Sequence, residues 1–149
     1  MHSGLKKILT IFSIYILLAA IPGYSQFKRT VACKVSTSSG TTSLSAYLYE
    51  EVDEPPTFPG GDSEMIKYIN TNRRYPAKAY ADGIEGRVLC SFIVMPDGEI
   101  HNIEVIRGVE KTLNEEAVRL ISEMPDWVPG KVEGEKVATL CILPIAFRK

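Results

Sequence analysis

A three-residue turn, Pro96-Asp97-Gly98, joins two runs of β-forming residues and fixes a hairpin between Gly86 and Arg107. Proline presets φ, and glycine takes the φ > 0 position that closes a short β-connection. Val88, Cys90, Phe92 and Val94 share one face of the first strand, while Leu89 and Ile93 put apolar groups on the other. A strand apolar on both faces belongs mid-sheet. The second strand sets Ile103 and Val105 against Asn102 and Glu104, the alternation of a strand nearer solvent.

Two helices are predicted ahead of the hairpin. Met65, Ile66 and Ile69 form a helical stripe that Asp62 or Ser63 can cap and Tyr75-Pro76 stops. A shorter helix starts at Pro76 and ends at Gly83. After the hairpin, Thr112 and Glu115 have the spacing of a capping box, Leu113, Ala117, Leu120, Ile121 and Met124 form the buried stripe, and Pro125 ends the helix. An irregular crossing, Trp127 to Lys131, leads to a last strand over Lys136–Phe147.

The predicted order is helix, helix, strand, strand, helix, strand, an α+β domain. A strand-helix-strand crossover returns the last strand parallel to the second, so antiparallel pairing with the first requires the order 2-1-3. That arrangement leaves the last strand at an edge, and Pro144 agrees, since proline in strands keeps to edges, ends or bulges.

Residues 1–25 read as an export signal. Lys6 and Lys7 precede an apolar run over Ile8–Ile21, and the small residues Gly23 and Ser25 hold the −3 and −1 positions of a cut after Ser25. The alternative is an uncleaved membrane anchor, for which the run is short. Residues 26–54 read as a flexible Ser/Thr-rich linker and 55–149 as the folded domain. Export places three cysteines, Cys33, Cys90 and Cys141, in an oxidising compartment, where a Cys90–Cys141 bridge is the alternative to two buried hydrophobes.

The residues point to neither catalysis nor a cofactor. His101 has no second ligand at metal spacing, Gly60-Gly61 lacks the lysine of a phosphate loop, and Glu115 and Glu116 are helix neighbours that suit its N-terminal dipole. A net charge of −1 gives no reason to expect nucleic acid. What remains is the last strand, apolar and nearly uncharged until Arg148. Left open, such an edge captures an extended peptide by strand addition; otherwise the chain's own N-terminal parts or a second copy must cover it.

The residues from Pro55 to Lys149 also resemble the C-terminal domain of TonB, the periplasmic energy transducer of Gram-negative bacteria. The resemblance rests on Tyr75-Pro76 with Ala79, Gly83–Val88, Phe92–Val94, Asp97-Gly98 followed by Ile103 and Val105, Leu113–Ala117, Trp127–Lys131 and Pro144–Phe147. Phe58-Pro59-Gly60-Gly61 is similar to the Bacteroidetes-type variant of that domain. The resemblance implies a three-stranded antiparallel sheet packed on helices. It also implies that the last strand takes up the "TonB box" peptide of an outer-membrane receptor, with force supplied by a proton-driven inner-membrane motor complex. By position the contact strand is Cys141, Ile142, Leu143, Pro144, Ile145, Ala146 and Phe147, helped by Asn72 and Arg73. A cut after Ser25 would leave a periplasmic binding module, accessory to transport. The alternative function is a self-associating, non-transducing structural module, a homodimer through its edges.

Overall fold

The computed structural model describes residues 30–37 and 40–149. The segment expected to direct export lies outside them, and no helix among the described residues is long and apolar enough to cross a membrane. In chain order the elements are β1 (Thr30–Thr37), β2 (Gly40–Leu48), a 3-10 turn (Tyr49–Glu51), α1 (Asp62–Asn72), α2 (Ala77–Ala81), β3 (Gly86–Val94), β4 (Ile100–Arg107), α3 (Lys111–Ser122), β5 (Gly130–Val132), β6 (Glu135–Val137) and β7 (Thr139–Phe147).

The fold is α+β, with helices on a mixed sheet ordered β1-β2-β7-β3-β4. The hairpin strand β3 runs antiparallel to β4 on one side and to the whole of β7 on the other, from Gly86↔Phe147 to Val94↔Thr139. Its central place follows from its two apolar faces. Val88, Cys90, Phe92 and Val94 join the α3 stripe and the inward residues of β7, Cys141, Leu143, Ile145 and Phe147, in the main core. Ile93 turns to the other face and packs with Ala46 and Ala138 in a second, smaller cluster.

Two expectations about the sheet need correction. The sheet has five strands, not three, because residues 30–48, read as linker, form the β1–β2 hairpin with register Thr30↔Tyr47 to Thr37↔Gly40. Val31, Cys33, Leu44 and Ala46 pack with Ile93 and Leu140, so a few alternating apolar residues suffice once the back of the sheet offers them a partner. The end of the expected linker is ordered too: Asp53 N–H donates to the Lys131 carbonyl at 2.9 Å and Lys131 N–H to the Glu54 carbonyl at 2.8 Å. Second, the last strand starts at Thr139, and β2 pairs parallel with its first two residues, Tyr47↔Thr139 and Leu48↔Leu140. Lys136 belongs instead to β6, which folds back on β5 through Glu133 and Gly134, both at positive φ.

Both expected helix caps differ from those found. Gly61, at φ 83°, is the N-cap of α1, and neither Asp62 nor Ser63 caps it. The N-cap of α3 is Glu110, so Thr112 lies inside the first turn. The Glu110 carboxylate accepts the Thr112 N–H at 2.8 Å and its hydroxyl at 2.5 Å. Those bonds, led by the hydroxyl's, hold Glu110 below the usual carboxylate range.

All three cysteines are free thiols. Cys90 and Cys141 are buried, and burial pushes the Cys141 thiol up to about 12 and raises Cys90 as well. Neither forms appreciable thiolate at neutral pH, and the thiolate is the reactive species. Burial, with the Glu104 charge, raises the Cys33 thiol too, but Cys33 is only half-buried, so titration of the native protein with a thiol reagent at pH 8 is expected to modify Cys33 slowly, with Cys90 and Cys141 reacting only after denaturation. Rapid loss of all three would contradict the packing.

Candidate peptide-binding edge

The two neighbours of β7 divide it unequally. Its β3 side is paired from end to end, whereas its other side is paired by β2 only at Thr139 and Leu140. Among the described residues, no strand pairs with Cys141–Phe147 on that side.

The direction of the backbone groups follows from two contacts. Tyr47 N–H donates to the Ala138 carbonyl at 2.9 Å, and Arg73 Nη1 donates to the Ala146 carbonyl. Backbone groups two residues apart on a strand point the same way. Even-numbered residues therefore face away from β3, so Ile142 presents an N–H and a carbonyl, and Pro144 a carbonyl alone. The missing donor of Pro144 falls on the unpaired side, opposite Leu89, and takes nothing from the β3–β7 ladder. The side chains alternate accordingly: Cys141, Leu143, Ile145 and Phe147 are buried, while Ile142 is 57% exposed and Pro144 is exposed.

Arg73, at the C-cap of α1, reaches this edge. Besides its bond to Ala146, its guanidinium lies 5.9 Å from the centre of the Phe147 ring. Asn72 does not reach it: its Nδ2 donates back to the Tyr68 carbonyl of the same helix at 2.8 Å, and its own carbonyl accepts from Arg119 at 2.9 Å. Of the two auxiliary residues expected beside the strand, the structure brings one to it.

Beyond Leu140 the edge opens onto a cleft of about 510 Å³. Leu48 and Tyr49, where β2 leaves the sheet, and Met65 of α1 line it, together with Leu140, Ile142 and the core residues Phe92, Trp127, Cys141 and Leu143. Trp127 packs edge-on against Phe58 and Phe92, with ring centres 5.9 and 5.4 Å away. In the sequence Trp127 opens an irregular crossing and helps carry the family resemblance, with no pocket assigned to it. The available signal was its size, since a large aromatic in a non-repetitive segment is usually buried against something.

Glu116, one of the two carboxylates that suit the helix N-terminal dipole, is only 7% exposed. Its carboxylate accepts the Arg74 N–H at 2.6 Å and Arg119 Nε and Nη2 at 2.8 and 2.7 Å. Burial alone would raise its affinity for a proton, but the bonds from Arg119 and Arg74, with their charges, outweigh burial and hold it below the usual carboxylate range. The network ties α3 to the segment that places Arg73 against β7. His101, by contrast, lies away from the edge, its Nε2 3.1 Å from Glu99 Oε2.

The family model for the Gram-negative bacterial TonB protein C-terminal matches residues 71–148, more than half of the sequence. The chain belongs to the TonB C-terminal family. Over 94 residues it is 34% identical to the TonB proteins of two Helicobacter pylori strains. That match covers 60% of this chain and 32% of each relative, so the chain spans about a third of their length. Among solved structures, it is similar to an NMR solution structure of the H. pylori TonB C-terminal domain, 32% identical with a TM-score of 0.44, over 58% of this chain and 90% of that one. A longer form of the same domain gives 27% identity and a TM-score of 0.40, over 61% and 88%. The TonB family match takes in Arg73, the α3 network and all of β7, and it leaves out the β1–β2 hairpin.

Proposed function

We propose that this TonB-family domain works in the periplasm. There it binds the TonB-box peptide of an outer-membrane receptor by strand addition along β7, in or accessory to energised transport across the outer membrane. The observation that carries the reading is the unpaired outer side of β7 beyond Leu140, next to a strand paired fully on its inner side. Main-chain groups of Ile142 and Pro144 supply the ladder, and Arg73 holds the far end in place. Should residues 1–25 act as an anchor, an inner-membrane proton-driven motor complex becomes a second partner. A free Gln26 at the N-terminus of the exported protein excludes force transmission through that anchor.

The test uses Ile142→Pro. The substitution removes an outward N–H and puts a ring where an incoming strand must lie, while leaving the bonds to β3 untouched. Binding of a synthetic receptor box peptide, followed by fluorescence anisotropy, is expected to weaken at least about tenfold, the loss of one backbone hydrogen bond and its unpaired partner. The cooperative thermal melt should persist. Unchanged affinity overturns the reading, as does a dimer on a sizing column that the peptide cannot dissociate; the latter favours a self-associating module.

A further inference from the structure

We propose that the cleft beside Cys141 and Leu143 is a selectivity pocket: it admits one bulky apolar side chain, aromatic or long aliphatic, from the extended segment that adds to β7, with a basic residue next to it. The inference rests on the strand-addition reading and adds what the partner must carry.

Three observations support it. A strand laid along the outer side of β7 alternates its side chains, and those on the face of Cys141 and Leu143 point toward the cleft, whose other walls include Phe92, Trp127 and Met65 of the same core cluster. Its size falls in the range of pockets that enclose a ligand group, and its lining of Leu48, Met65, Phe92 and Trp127 is apolar. Finally, the rim is acidic: Glu50 and Asp62 border the cleft, and neither takes part in the salt bridges found among the described residues. That charge favours a lysine or arginine beside the apolar residue.

The probes are four labelled heptapeptides: Lys-Phe-Thr-Val-Thr-Val-Thr, its reversed sequence, and each with alanine for phenylalanine. Binding is read by anisotropy and by emission of Trp127, the chain's single tryptophan. In at least one orientation the phenylalanine peptide is expected to bind about tenfold or more tightly than its alanine version, the difference made by burying one large apolar side chain, and to shift the emission. Exchanging its lysine for glutamate should weaken it further. Equal binding of the phenylalanine and alanine peptides, with no emission shift, overturns the pocket and leaves strand addition standing. Binding by none of the four also overturns it; only failure of the receptor box peptide as well brings down the reading beneath.

Discussion

Alanine at Gly98 is expected to destabilise the domain by about 2–5 kcal/mol, measured by urea unfolding. Two costs add. Gly98 sits at φ 95°, where a side chain is strained, at about 1–2 kcal/mol. A Cβ there would also fall far inside van der Waals contact with the Trp127 carbonyl oxygen, a backbone atom that cannot swing aside. Overpacking of that kind costs about 1–3 kcal/mol. The Gly98 carbonyl accepts the Trp127 N–H at 2.8 Å, so forcing the two apart breaks the bond that holds the Trp127 segment against the hairpin turn. Gly134 provides the control. Its φ is 82°, but a Cβ there meets nothing within 4 Å, so Gly134→Ala should show the conformational cost alone. Equal losses at the two sites would mean that the approach of Trp127 contributes nothing.

Glu116→Ala is expected to cost about 2–4 kcal/mol at pH 7, because it strands the Arg74 N–H and the Arg119 guanidinium together. The lower part of that range allows for Arg119, whose side chain is 23% exposed and keeps its ion pair with Glu123. Glu116→Gln keeps an acceptor for Arg74 and should lose less. The pH dependence gives a separate test. Glu116 holds its proton more weakly in the folded than in the unfolded chain, so its contribution is complete above the unfolded carboxylate range, about pH 4.3, and is lost as pH falls through the lower folded value. Unfolding free energies of wild type and Glu116→Ala should therefore converge from pH 7 toward pH 3. A constant gap across that range would show that the loss comes from packing and not from the charge. Glu110 is held low as well and keeps some acid sensitivity in both proteins.

These two sites mark where sequence reasoning reaches and where it stops. That Gly98 must take a positive φ is legible in Pro96-Asp97-Gly98, since turn chemistry is local. Why no larger residue fits is not legible, because the obstacle is a carbonyl 29 positions later in the sequence. The α3 stripe is likewise plain from the spacing of Leu113, Ala117, Leu120 and Ile121, all of which are buried. Glu116, on the same helix, looks like any surface carboxylate until Arg74 is seen to meet it.

By itself the sequence determined the β3–β4 hairpin, the three helices, the inward face of β3 and the tolerance of Pro144, because each depends on periodicity, turn residues or φ restriction within a short window. Only the tertiary structure decided that residues 30–48 form strands, that β2 covers the first two residues of β7 and no more, and that Met65 and Trp127 frame a cleft beside the rest. The physical reason is that strand pairing and cleft walls depend on which surfaces the folded chain leaves unsatisfied. Hydrogen-bond direction and side-chain alternation restrict those surfaces, but partners tens of residues apart settle them.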